Sequence, residues 1–309
     1  MNTVQLAFLA ALIATIIWGA TPPIAKLTFT EMPPFVAAFL RFVMATILIL
    51  PILGFQSKLS KVKIADYPLM FVLSLLGITL SIGLFFVGLN LTSAMEAGII
   101  ISTGPLFNAV AAKLILKEKV SFLHWLGISL ASVGTLVIIV IAPFVEKNIS
   151  TNYSLLGNLL LLLAVLAGTG FNILSKESFK KFDSSTIIGF SFTIGAFTFL
   201  PFALWENAIH TDWILNLTIN GLLGLLYLGI FASLCAYLLY EWSLEKLPIS
   251  KTLPMTFLQP VVTVVVAVPL LGEKITPTFI VGSVLILLGM FLGTYNFPHH
   301  HQRAAHHKV

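Results

Sequence analysis

Few ionisable side chains interrupt the apolar stretches of this sequence, so each one is a candidate site. Arg41 lies about two turns inside the second apolar stretch, Lys26 ends the first, and Glu96 begins the fourth. If the three converge, Glu96 neutralises one cation and the other can bind an anionic group such as a carboxylate, for which arginine has a planar fork of donors. In the structural alternative, Arg41 pairs with Glu31 or Glu96, and Lys26 extends to the lipid headgroups.

A second candidate group lies near the end of the eighth apolar stretch. Glu241 follows Tyr237 by about one helical turn. A carboxylate at that depth could carry a proton or close an inner gate, with Tyr237 beside it. The alternative is that Glu241 lies at the membrane interface next to Trp242.

Two prolines divide apolar stretches near their middle. Pro105 and Pro260 each lie about twelve residues into a stretch, where a proline removes a backbone hydrogen bond and breaks the helix. Breaks at corresponding places in two halves of a chain are a pointer to a binding site. The polar or aromatic residues predicted to line it are Trp18, Ser102, Thr103, Asn108, Asn172, Thr256 and Gln259. Hydrogen bonds between helices are the alternative role for their side chains.

The region around each proline occurs twice. The segment GPLFNAVAAKLILKEKV, from Gly104, aligns without a gap with QPVVTVVVAVPLLGEKI, from Gln259. Further along, Gly127 aligns with Gly282 and Gly134 with Gly289, again 155 residues apart. A period of half the chain indicates one duplicated unit rather than a solenoid of short repeats.

The composition places the duplicated unit in a membrane. Of the 309 residues, 58% are hydrophobic and 9% are charged, against roughly a quarter charged in soluble domains. The mean hydropathy is +1.02, and apolar runs of about 20 residues follow one another along the chain. The net charge of +5 does not indicate a nucleic-acid partner, because the basic residues lie in short loops. The lone cysteine, Cys235, can form no intrachain disulfide.

The apolar runs predict an all-α integral membrane protein with ten transmembrane helices. The predicted spans are 5–28, 34–54, 67–90, 93–115, 122–142, 155–175, 185–205, 217–243, 248–270 and 276–296. With both termini in the cytoplasm, thirteen of the seventeen Lys and Arg residues fall on the inner side. This asymmetry predicts a multi-pass protein of the cell membrane with cytoplasmic N and C termini.

Ten spans in two copies give five spans per copy, and an odd number makes the copies inverted repeats. We predict a first repeat at 1–145, an outer linker loop at 146–154, a second, inverted repeat at 155–297 and a His-rich cytoplasmic tail at 298–309. Inverted repeats provide two near-equivalent packings, each open to one side, which is typical of secondary transporters. The glycines of the last span, Gly289 and Gly293, indicate close helix packing, either within the chain or in a homodimer.

Other functions have less support in the sequence. An intramembrane enzyme would need a catalytic set, but the chain has no HExxH, no GxSxG and no carboxylate pair at a useful spacing. There is no Walker A sequence to use ATP and no soluble domain to transmit a signal. A lipid flippase is the alternative within transport. No cofactor is predicted, and metal binding by the tail histidines is the alternative to a solvated tail.

The chain resembles the drug/metabolite transporter superfamily in its ten-span EamA-type branch. The resemblance covers nearly the whole chain and rests on IIWGATPPIAK, PPFVAAFLRF, LTSAMEAGIIISTGPLF and the segments LKEKV and LGEKI. It implies inverted five-helix repeats around a cavity formed mainly by spans one, three, four, six, eight and nine, with alternating access. It also implies small organic substrates such as amino acids, frequently exported, with Trp18, Lys26, Arg41 and Pro105 at motif positions.

Overall fold

The computed structural model is helical throughout the part of the chain that it describes. The described residues are 2–55, 62–115, 122–137, 141, 145, 155–247, 252, 256 and 258–294. The helices labelled below are α1 Thr3–Thr28, α2 Pro34–Phe55, α3 Ile64–Leu91, α4 Ala94–Ile115, α5 Phe122–Leu136, α6 Leu155–Ser178, α7 Ser184–Ile209, α8 Ile219–Lys246, α9 Gln259–Leu271 and α10 Pro277–Thr294. No strand occurs among these residues.

Seven of these helices are long and apolar enough to cross a membrane, so the chain is a multi-pass membrane protein. They are α1, α2, α3, α4, α6, α7 and α8. The apolar parts of α5, α9 and α10 are shorter, and α9 covers 13 residues, about 20 Å at 1.5 Å per residue. The hydrocarbon core is about 30 Å thick, so the prediction of ten spans holds for seven helices and stays a prediction for the other three.

The helices pack in reciprocal pairs. Helix α1 packs against α8 and α9, and its counterpart α6 packs against α3 and α4. Helix α2 packs against its own counterpart α7, and α5 against α10. Exchanging the two halves leaves this set of contacts unchanged, as expected for two copies related by an approximate twofold axis.

Glycines allow the closest of these contacts. A Cβ atom on Gly134 would meet the carbonyl oxygen of Gly282, and a Cβ atom on Gly289 would meet that of Gly127. The two contacts are equivalent, because each joins α5 to α10 through positions that the repeat aligns. Gly134 and Gly282, and likewise Gly127 and Gly289, therefore pack against each other within one chain, and the homodimer stays a prediction.

Three helices depart from α geometry near their middle. Helix α3 widens into π-helical turns at Leu75–Leu80, and α8 does so at Tyr227–Cys235. Helix α4 is broken between Ile101 and Gly104, immediately before Pro105. Pro105 has no N–H to donate, which explains why the helix does not continue through this point. Irregular backbone within a membrane protein occurs where it is buried or lines a cavity.

Candidate functional site

A central cavity of about 200 Å³ is lined in part by the irregular segments of α3 and α4, through Gly77, Ile101 and Gly104. Its walls come from α1, α3, α4, α6, α8 and α9, with one side chain from α2. The predicted site residues that line it are Trp18, Arg41, Pro105, Asn108, Asn172, Tyr237, Glu241, Thr256 and Gln259. The structure thus brings together residues from both halves that are far apart in sequence.

Arg41 is a buried cation with donors left over. Its side chain is 2% exposed, and Nε donates a hydrogen bond to Ser233 Oγ at 2.8 Å. The guanidinium carbon lies 4.9 Å from the centre of the Phe42 ring and 5.4 Å from that of Phe86, so aromatic faces partly compensate the charge. Among the described residues, Nη1 has no hydrogen-bond partner. An anionic group in the cavity would satisfy it.

The sequence left open a structural ion pair of Arg41 with Glu31 or Glu96. In the structure, Glu31 accepts hydrogen bonds from the backbone N–H of Thr218 at 2.8 Å and of Gly221 at 3.2 Å, at the start of α8. The hydrogen bonds from the N–H and the hydroxyl of Thr218 hold the pKa of Glu31 below its ordinary value. Within the described part of the chain, no carboxylate lies at ion-pair distance from Arg41.

Glu241 is a buried carboxyl group in the wall of the same cavity. Its side chain is 1% exposed, and Oε2 has no hydrogen-bond partner among the described residues. The Lys176 ammonium interacts with it electrostatically but donates its hydrogen bonds to backbone carbonyls. A buried carboxylate oxygen without a donor is costly, so a cation or a proton must accompany it.

An aromatic wall lies beside Glu241. The Trp18 ring centre is 5.1 Å from that of Tyr237 and 5.0 Å from that of Tyr240. The indole N–H of Trp18 donates to the carbonyl of Ala232 at 2.9 Å, which fixes the ring on α8. Aromatic rings beside a carboxylate are a suitable environment for an ammonium group.

Sequence reasoning missed Tyr240, although the signal was present. Tyr237, Tyr240 and Glu241 are spaced i, i+3 and i+4, which places all three on one helix face. It also missed Thr263, one turn after Gln259, whose hydroxyl donates to the Gly19 carbonyl at 2.6 Å and joins α9 to α1.

A hydrogen bond between two asparagine side chains joins helices α4 and α6. Asn172 Nδ2 of α6 donates to Asn108 Oδ1 of α4 at 3.3 Å, and both side chains line the cavity. The repeat aligns Asn108 with Thr263, so the α4–α6 and α9–α1 crossings each have a polar bond at the same place. Both bonds leave polar atoms at the cavity wall.

Four further predicted site residues lie outside the cavity lining. Ser102 and Thr103 donate their hydroxyl protons to the carbonyls of Ile99 and Ile100, both at 2.6 Å. They therefore satisfy backbone carbonyls at the break in α4. Lys26 and Glu96 meet elsewhere, where Lys26 binds the carbonyls of Leu89 and Thr92 and Glu96 accepts from the Thr92 hydroxyl. The structure thus brings Lys26 and Glu96 together but keeps Arg41 apart from them.

Pro260 also lies outside the cavity lining. It is buried in the first turn of α9, directly after Gln259. A proline in the first turn of a helix leaves no hydrogen bond unmade, because its missing N–H would have had no partner within the helix. The position that corresponds to the break in α4 therefore lies at the start of α9. Residues 253–255 and 257, which precede it, lie outside the part of the chain that the structure describes.

The family comparison decides how this cavity is to be interpreted. The model of the EamA-like transporter family matches the chain twice, over residues 5–140 and 155–295. The chain belongs to the EamA-like transporter family. Members of this family are transporters and not enzymes, and they place this chain within the drug/metabolite transporter superfamily.

Relatives extend over nearly the whole chain. An uncharacterized transporter of Archaeoglobus fulgidus is 25% identical, with 90% of this chain and 94% of the relative covered. The uncharacterized transporter YoaV of Bacillus subtilis is 26% identical, covering 92% of this chain and 94% of its own length. A protein of Salmonella typhimurium named "Probable amino-acid metabolite efflux pump" is 26% identical over 93% of this chain and 94% of its own.

A solved structure supports the fold. One crystal structure superposes with a TM-score of 0.67, covering 94% of this chain and 96% of its own, at 18% sequence identity. At that identity the likeness concerns the fold alone. Among the described residues, no group of three or more His, Cys, Asp or Glu side chains could hold a metal ion. The histidines of the tail lie outside the described residues.

Proposed function

We propose that this protein is a secondary transporter that exports a small zwitterionic metabolite, such as an amino acid or a derivative, across the cell membrane. The observation that carries the proposal is that one donor atom of a cationic side chain and one acceptor atom of a carboxyl group in the lining of one cavity, Arg41 Nη1 and Glu241 Oε2, have no hydrogen-bond partner among the described residues. A ligand with a carboxylate and an ammonium group would satisfy both buried charges at once.

Each end of such a ligand has a suitable partner. Arg41 offers planar donors to the carboxylate, and Ser233 and the two phenyl faces hold the guanidinium in place. Glu241 accepts from the ammonium group, and the rings of Trp18 and Tyr240 add cation–π attraction. The volume of about 200 Å³ suits a small metabolite and is below the range of roughly 300–1,000 Å³ typical of drug-sized ligands.

Transport then follows from the duplicated architecture. The reciprocal packing of α1 with α8 and α9, and of α6 with α3 and α4, supports two alternative packings of the same halves. In our proposal the halves are inverted, both termini are cytoplasmic, and the cavity opens to each side in turn. When the ligand leaves, Glu241 takes up a proton, which couples export to proton movement in the opposite direction. The export direction rests on the name of the Salmonella typhimurium relative, an efflux pump.

Uptake and counterflow in proteoliposomes test the proposal. A panel of labelled amino acids and derivatives is supplied with and without an imposed pH gradient. Saturable flux of at least one zwitterion, changed by the gradient, is the expected result. Absence of flux for the whole panel in folded, reconstituted protein would contradict the proposal, and lipid flipping would become the next function to assay.

A further inference from the structure

Lys26 binds the end of a neighbouring helix. Its Nζ atom donates to the backbone carbonyl of Leu89 at 3.3 Å and to that of Thr92. Both carbonyls belong to the C-terminal end of α3, where the last carbonyls of a helix have no intrahelical donor. The same end carries the negative pole of the helix dipole, so an ammonium group there is doubly favourable. Lys26 thus ties the end of α1 to the end of α3.

Lys176 makes the same contact in the other half. Its Nζ atom donates to the carbonyl of Leu244 at 2.5 Å and to that of Leu247 at 2.7 Å, at the C-terminal end of α8. The lysine therefore ties the end of α6 to the end of α8.

The two contacts are equivalent under the repeat. Leu89 aligns with Leu244 and Thr92 with Leu247, each 155 residues apart, whereas the two lysines are 150 residues apart. Corresponding residues are therefore 150 positions apart in α1 and α6, which is five fewer than the 155 positions between corresponding residues of α3 and α8. The ends of the helices show the same offset, since α1 ends at Thr28 and α6 ends at Ser178, 150 residues later.

The two contacts lie at opposite ends of the molecule if the halves are inverted. Helix α1 would then end on the side where α3 ends, and α6 would end on the other side together with α8. Each lysine also has a carboxylate nearby: Lys26 interacts electrostatically with Glu96 and Glu273, and Lys176 with Glu241. These carboxylates attract the ammonium groups and so oppose the cost of burying them.

We propose that Lys26 and Lys176 are positioning residues that act as two opposed latches on the central cavity. The inference rests on the alternating access of the proposed function. Opening the cavity to one side separates α1 from the end of α3 and breaks the Lys26 contact. Opening it to the other side separates α6 from the end of α8 and breaks the Lys176 contact. Both contacts are formed in this structure, so each latch is closed.

Cysteine accessibility measures the two openings separately. The lone cysteine is removed by Cys235→Ala, and Ser81→Cys, an isosteric change in the cavity wall, serves as the reporter. A membrane-impermeant maleimide is added to right-side-out or to inside-out vesicles. Lys26→Met and Lys176→Met remove the ammonium groups with similar side-chain length. Lys26→Arg and Lys176→Arg keep a cationic donor and serve as matched controls.

The expected result is a pair of opposite shifts. Lys26→Met raises the labelling rate roughly tenfold from one side of the membrane, Lys176→Met raises it by a similar factor from the other side, and the arginine variants label like the parent. A loss of stability alone would not raise the labelling rate from one side of the membrane only. If a methionine variant does not insert into the membrane, the corresponding glutamine variant replaces it. Because glutamine keeps an N–H donor, its labelling rate should rise from the same side of the membrane but by a smaller factor.

Two results would overturn the latch proposal. One is a shift to the same side for both lysines, and the other is unchanged labelling in inserted, monodisperse variants. Labelling requires no substrate, so the proposed function and the latches fail independently. Flux without opposite shifts removes the latches alone, and opposite shifts without flux for any compound remove the proposed substrate.

Discussion

Arg41 and Glu241 place a guanidinium N–H and a carboxylate oxygen, neither with a hydrogen-bond partner among the described residues, in the walls of one central cavity. The two residues come from different halves of the chain and from helices α2 and α8. They are not paired with each other at ion-pair distance in the structure. A cavity that keeps opposite charges apart in this way is suited to a ligand that carries both.

Substitution of Arg41 tests the carboxylate end of that ligand. We expect Arg41→Ala to lower kcat/KM for the transported zwitterion roughly 100-fold, because removing one partner of a buried charge pair costs about 2–5 kcal/mol. Arg41→Lys keeps the charge but loses the planar fork, so an intermediate loss is expected. Initial rates in proteoliposomes, normalised to folded protein, provide the measurement. Normal transport by the alanine variant would remove Arg41 from the site.

The substitution Glu241→Gln tests the proposed coupling of transport to proton movement. Because glutamine binds neither a proton nor an ammonium charge, we expect the variant to transport slowly and to lose its response to an imposed pH gradient. The matched control is Glu245→Gln on the same helix, whose carboxylate accepts from the Ser184 backbone N–H at 3.1 Å and does not line the cavity. A gradient response that persists in Glu241→Gln, or that disappears in Glu245→Gln, would contradict the assignment.

The glycine contact between α5 and α10 predicts a specific loss of stability. Gly289→Ala places a methyl group against the backbone of Gly127 and Ala131, which cannot move aside as a side chain could. Overpacking of this kind costs roughly 1–3 kcal/mol, so the melting temperature in detergent should fall. Gly54→Ala is the matched control, because a Cβ atom there meets nothing within 4 Å. Alanine has a higher helix propensity than glycine, so the Gly54→Ala control should be neutral or slightly stabilising. Equal melting temperatures of the two variants would contradict the close packing of α5 against α10.

Glu31 predicts an acid-dependent loss of stability. The hydrogen bonds from Thr218 and Gly221 keep its pKa below the ordinary value of 4.5. A lowered pKa stabilises the fold above the unfolded value, and this stabilisation disappears as the pH falls from about 4.5 through the folded pKa. Thermal unfolding followed from about pH 6 to about pH 3.5 should therefore show a smaller acid-induced decrease in Glu31→Gln than in the parent protein. Identical decreases in the two proteins would show that the hydrogen bonds of Glu31 at the start of α8 do not contribute to stability.

Much of the cavity was predictable because transmembrane sequences contain few polar residues. Arg41, Asn108, Asn172 and Glu241 stand out against apolar neighbours, and all four line the cavity. Pro105 marked the break in α4 for a similarly local reason, since the missing N–H is a property of the residue itself.

Contacts to backbone groups were not predictable from residue types. Lys26 was expected near an anionic ligand or among lipid headgroups, but it binds the carbonyls of Leu89 and Thr92. Every residue has a carbonyl, so the sequence does not indicate which one a lysine reaches. Ser102 and Thr103 differ from their predicted role for the same reason, because their hydroxyls bind the backbone of their own helix.

The central claim is that one cavity binds both charges of a zwitterion. The most direct measurement is competition against the transported amino acid by two analogues with the same side chain, the amine that lacks the carboxylate and the acid that lacks the amino group. We predict that both analogues inhibit the parent protein weakly. We also predict that Arg41→Ala lowers affinity for the acid but not for the amine, and Glu241→Gln for the amine but not for the acid. Equal inhibition by all three compounds, or the same analogue preference in both variants, would contradict the account.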